Sequence, residues 1–133
     1  MRIAAALAAV LGGALLLAVP RFVFPTCEQL GRGRMHCTDA ARAEYVAGAL
    51  LLGAGAGLFA LRQRGAAMAL TALAAAVCVA AVVAPGITRY CANPDMPCHY
   101  GMVPSVRFIG SAVGLVQVAA LVSLARRGTG GGS

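Results

Sequence analysis

Four stretches of this chain carry no charged side chain and few polar ones: Ile3–Val19, Tyr45–Leu61, Ala66–Val83 and Phe108–Ala125. Each is close to the ~17–25 apolar residues an α-helix needs to cross the hydrocarbon of a bilayer. None alternates apolar and polar positions, so a transmembrane strand barrel does not fit. The pattern predicts an all-α membrane protein, a bundle of four transmembrane helices at about residues 3–24, 40–61, 66–84 and 105–125. Residues 1–127 form a single domain in this reading, and the Gly-rich tail 128–133 reads as an expression linker. The first run could instead be a secretory signal peptide. However, Val19-Pro20-Arg21-Phe22 is a poor cleavage site, and losing the run would leave three helices, so it is read as retained.

Composition strengthens this picture. Of 133 residues, 60% are hydrophobic and only 11% charged, against roughly 25% charged in an ordinary soluble domain. Too few charges exist to face water all round. The net charge of +7 comes from eleven basic residues, all arginine, against four acids. The arginines flank apolar runs, where they anchor helix ends among lipid headgroups. They form no stripe and no aromatic stacking set accompanies them, so nucleic acid is not an expected partner. The lipid bilayer is.

Four spans place both termini on the side of the short Arg62-Gln63-Arg64-Gly65 turn, and the two long connections on the other. Arginine counts nearly balance across the two sides, so they leave orientation open. All four acids, Glu28, Asp39, Glu44 and Asp95, fall in or beside the long connections, offsetting their arginines. Paired cysteines also belong in an oxidising compartment. The expectation is a multi-pass protein of the cytoplasmic (inner) membrane, with both termini cytoplasmic and the cysteine loops outside.

The two halves echo each other. Pro25, Cys27, Met35-His36-Cys37 and a glycine-bearing helix in the first correspond to Pro85, Cys91, Met96-Pro97-Cys98-His99 and another such helix in the second. Both hairpins start on the same side, so this is a parallel repeat and the bundle is two parallel-repeat helical hairpins. The second and fourth helices carry Gly53-x-x-x-Gly57 and Gly110-x-x-x-Gly114, a spacing that lets helix backbones approach closely.

The pattern resembles a family of small, uncharacterised prokaryotic four-transmembrane proteins, a domain of unknown function with a cysteine and then Met-x-Cys-His in each outer loop. The likeness spans most of residues 1–127. Cys91 with Met96-Pro97-Cys98-His99-Tyr100 matches well, whereas in the first loop His36 precedes Cys37 and Thr38 stands where the histidine would fall. The resemblance implies the four-helix architecture and no activity. Similar proteins are often encoded beside ABC-type transporter components, which implies a transporter subunit as partner.

Three uses of the outer cysteines Cys27, Cys37, Cys91 and Cys98 are compatible with the residues. The first is a pair of structural disulfides, and the repeat favours Cys27–Cys37 with Cys91–Cys98, stapling loops that have little core of their own. The second is a soft-metal site. Met35, His36, Cys37, Met96, Cys98 and His99 offer thioether, imidazole and thiolate donors suited to copper or zinc. The third is quinone-linked thiol–disulfide exchange, as in four-helix membrane oxidoreductases of the disulfide-forming and vitamin K epoxide reductase types, although no Cys-x-x-Cys is present. The leading expectation is a non-enzymatic accessory or interaction subunit with a disulfide-stapled cap and no cofactor.

Within the spans, Cys78 is expected to pack as a small hydrophobe and Gln117 to bond between helices. Asp39 is a candidate N-cap for the second helix and Pro104 a first-turn residue of the fourth. Glu44 is expected as a solvated interfacial charge, with Arg42 or Arg107 as possible partners. No charge is expected inside the membrane, which argues against a proton relay or an ion-coupled transporter.

Overall fold

The computed structural model describes residues 1–24, 36–87, 95 and 98–129. Helix α1 (Arg2–Ala18) runs into a π-helical turn (Val19–Val23). Helices α2 (His36–Ala60) and α3 (Arg64–Ile87) follow, and a second π-helical turn (Cys98–Met102) leads into α4 (Val103–Thr129). Among the described residues there is no strand. The helices form a ring in which α1 packs on α2, α2 on α3, α3 on α4 and α4 on α1, while α1 and α3 hardly meet.

The four candidate spans are 22 to 28 residues long with mean hydropathies of 1.5 to 2.5. At a rise of ~1.5 Å per residue the shortest reaches about 33 Å, enough for a hydrocarbon core of ~30 Å. The distribution of side chains points the same way. On α1, Ile3, Leu7, Leu11 and Leu15 are exposed, while Ala5, Ala6, Ala9, Gly12 and Gly13 are buried. Phe108, Leu115 and Val79 are likewise exposed on α4 and α3. Large apolar groups facing outward, with many small residues between the helices beside Leu16, Leu51 and Leu58, suit lipid, where helices associate through close packing rather than through escape from water. The chain is a multi-pass membrane protein.

Helix limits differ from the apolar runs where charge and proline hide the helix. α2 begins at His36 rather than near residue 40, so Asp39 is a first-turn residue and not the N-cap. A carboxylate there still faces the positive end of the helix dipole. α3 continues through Pro85 to Ile87, beyond the expected end at 84. Pro104 lies in the first turn of α4, as expected. At Pro20 the missing N–H breaks the α pattern. The chain relaxes into the π turn, closed by Phe24 N–H donating to the Val19 carbonyl at 2.9 Å.

Each hairpin is tied at the same end by an arginine. Arg2, at the start of α1, donates to the Leu58 carbonyl at 2.7 Å (Nη2) and 2.9 Å (Nε), to the Leu61 carbonyl, and at 3.4 Å to the Arg62 carbonyl. Arg64, at the start of α3, donates to the Leu124 carbonyl of α4 at 2.5 Å. In the Arg2–Arg62 and Arg64–Leu124 bonds, donor and acceptor stand 60 residues apart. At the end of α2 the last carbonyls lack intrahelical donors, and the Arg2 guanidinium, with five N–H groups, both serves them and offsets the negative end of the dipole. Leu124 lies five residues before the end of α4, so Arg64 adds a second donor to a carbonyl inside that helix.

Candidate functional site

The turn between α2 and α3 lies at one end of the bundle, and the α1–α2 and α3–α4 connections both lie at the other. Both cysteine loops therefore emerge on one side. Cys27, Met35, Cys91 and Met96 lie outside the described residues, and His36, Cys37 and Cys98 are described in backbone alone. Cys37 falls in the first turn of α2 and Cys98 opens the π turn before α4. His99 and Tyr100 are exposed. The bases of the two loops touch: Phe24 meets Tyr100 edge-to-face at 6.5 Å and 85°. A side chain on Gly101 would overlap the Phe24 ring, so glycine is what lets that ring lie flat against the turn. Met102 and Val106, just below, are fully buried.

The expected packing glycines divide. Gly110 and Gly114 face α3: a Cβ on Gly110 would lie 2.9 Å from a Val82 methyl, and one on Gly114 3.3 Å from Cys78 Cβ. Gly57 faces Leu70, 2.8 Å from its Cδ1. Gly53 packs against nothing within 4 Å and is exposed. The tightest seam involves glycines that the four-residue spacing did not single out. A Cβ on Gly13 would come within 2.7 Å of the Gly48 carbonyl oxygen, and one on Gly48 within 2.9 Å of the Gly13 carbonyl. One further two-turn step along α2, Gly55 sits against Val10 and the Ala6 carbonyl. The signal was present in the sequence as a seven-residue glycine spacing facing Ala6, Ala9 and Gly13.

Polar groups inside the spans are few. Gln117 is fully buried and donates through Nε2 to the Ala5 carbonyl at 2.8 Å, linking α4 to α1 as expected, while its Oε1 has no partner. Thr71 donates to the Ala67 carbonyl at 2.7 Å within its own helix. Cys78 is a buried free thiol at the α3–α4 seam. Glu44 departs from expectation. It is not a solvated charge but only 5% exposed, because it lies on the inward face of α2 with Ala40, Ala41 and Gly48. Its Oε2 has no hydrogen-bond partner, and both Arg42 and Arg107 are exposed.

Two hollows accompany these groups. One, of about 90 Å³, lies between α2 and α3 and is lined by Glu44 with Ala40, Ala47, Ala80, Ala81 and Pro85. The other is an apolar furrow of about 370 Å³ along α3 and α4, lined by Cys78, Val82, Gly110, Gly114, Leu115 and Val118. Among the described residues no three His, Cys, Asp or Glu side chains gather as a metal centre.

A family described as a domain of unknown function, DUF4418, matches residues 9–123. The chain belongs to the DUF4418 family. No curated protein matches it, and no solved structure does. The DUF4418 match takes in α2 and α3 whole, parts of α1 and α4, both cysteine loops, Glu44 and Gln117. Membership of DUF4418 brings no activity with it, so what this chain does has to be argued from its own groups.

Proposed function

We propose that this DUF4418 chain is a non-enzymatic interaction subunit of the cytoplasmic membrane, with cytoplasmic termini and an extracytoplasmic cap closed by the Cys27–Cys37 and Cys91–Cys98 disulfides. The observation that carries the interaction reading is the α3–α4 furrow. It is apolar, opens along the lipid-facing side of two spans, and is floored by Gly110 and Gly114 where a partner's helix could come close. A transporter subunit is the partner the reading points to. Photo-crosslinkers placed at Val79 and Leu115, which edge the furrow, give a protein adduct of one defined mass in native membranes. The same group at Leu11, on the outer face of α1, gives none. Lipid adducts alone at all three sites would sink the reading.

A second use of the loops is supported by their starting points. Cys37 and Cys98 both sit where helical elements begin, at the same end of the bundle. In this reading copper or zinc is held by Met35, His36, Cys37, Met96, Cys98 and His99. Quinone-linked thiol exchange is the enzymatic alternative, and it requires a cysteine pair that cycles. Thiol counting by alkylation and intact mass separates the three. The disulfide cap leaves one reactive thiol, Cys78, before reduction in denaturant. A metal site exposes all five cysteines once a chelator is added. An exchange enzyme shows a count that shifts with added quinone.

A further inference from the structure

Buried charges in proteins are paired or coordinate a cation, because an isolated ion is strongly disfavoured away from water. Glu44 has no such company. Ala40 and Ala47 flank it on its own helix; Asp39 and Arg42 of that helix are exposed. Facing it from α3 are Ala80, Ala81 and Pro85, none of which carries a side-chain donor. From α4, Arg107 extends over the end of α3, its Nη2 3.9 Å from where a Cβ on Gly86 would be, and is exposed. His99 in the π turn and Arg21 beyond α1 are exposed as well.

Pro85 adds a second acceptor to the same wall. A proline inside a helix brings no N–H to the carbonyl four residues earlier, which here is that of Ala81, a residue lining the cavity. The hollow therefore has methyl walls, a carboxylate oxygen without a partner and a carbonyl without its helical donor. Among the described residues, the side chains that line it offer acceptor oxygens from Glu44 and no donor. At about 90 Å³ it has room for a few water molecules, each needing at least ~10–15 Å³, but not for an organic ligand of any size.

We propose that this cavity binds one small monovalent cation, held by Glu44 and the Ala81 carbonyl with ordered water, either as a proton on the carboxyl or as an alkali-metal ion beside it. The site lies within a transmembrane segment, Thr38–Ala60, toward the side of the cysteine loops. It is independent of how those cysteines are used and of what fills the α3–α4 furrow.

The test is infrared difference spectroscopy on the purified full chain in lipid, perfused with buffers that change one ion at a time. A step in pH at fixed sodium produces a carboxyl C=O band if the cation is a proton. Exchange of sodium or potassium for choline at fixed pH and ionic strength moves the carboxylate stretches if it is an alkali-metal ion. Either band is lost in Glu44→Gln, which keeps the size and a polar tip but not the charge. Thermal unfolding gives a second readout on the unaltered chain: its midpoint rises with the cation that the infrared identifies and is indifferent to choline. If neither step yields a band that depends on Glu44, or if the midpoint ignores both protons and alkali ions, the proposal is overturned.

Discussion

The two hairpins follow one plan, and their seams are built differently. In the first, α1 and α2 meet backbone to backbone: Gly13 and Gly48 each stand where the other's carbonyl leaves no space for a methyl group. In the second, α3 and α4 leave slightly more room. A Cβ on Gly110 would meet a Val82 methyl at 2.9 Å but the Cys78 carbonyl oxygen only at 3.4 Å. One on Gly114 would meet the Cys78 Cβ at 3.3 Å, with the furrow beside them. A carbonyl cannot move without moving its helix, whereas a valine can change rotamer. The first seam is thus fixed in register, and the second keeps adaptable surface.

The sharpest way to break this contrast is Gly48→Val. Its branched side chain has nowhere to go, and the loss is expected at or beyond the upper end of the ~1–3 kcal/mol typical of overpacking. Denaturant titration in mixed micelles checks this; a loss below about 1 kcal/mol would mean the seam is not closed as described. Arg2→Ala, which removes the donors to Leu58, Leu61 and Arg62, is expected to cost about 0.5–1 kcal/mol, as for other groups that satisfy a helix terminus. Arg64→Ala should cost less, since a single carbonyl is served there. On the adaptable seam, Gly114→Ala meets Cys78 Cβ at 3.3 Å, and the close contact offsets much of the gain in helix propensity. Its net effect is expected within about 0.5 kcal/mol of zero. Gly53→Ala touches nothing, so it should be mildly stabilising, by less than the ~1 kcal/mol that separates glycine from alanine in a helix. A loss at position 53 would reveal a neighbour packed on that face in the assembled protein.

The four spans were legible because an uninterrupted apolar run of that length has one simple explanation, and the bundle follows from it. The expected start of α2 falls about four residues late, with Asp39 as its cap; the expected helix already runs through Arg42 and Glu44, and what charge hides is that Glu44 is buried. Pro85 misled in the same way at the end of α3, where the helix tolerates the missing N–H and ends two residues later. The glycine spacing was informative in kind and incomplete in place. Three of the four expected glycines pack, but the closest approach uses Gly13, Gly48 and Gly55, two turns apart on α2 rather than one. Choosing among glycines requires knowing which face of each helix turns inward, and a chain this rich in alanine marks its faces weakly. Glu44 was hidden for the same reason: it shares the inward face of α2 with Ala40, Ala41 and Gly48, which the sequence marks weakly.

The arginine ties also bear on how the protein is made. Arg2 finds its acceptors at residues 58 to 62, so this latch forms only once the end of the second helix has been made. Arg64 then waits a similar interval for Leu124. Each latch thus joins the start of one helix to the far part of the next, at the same end of the bundle.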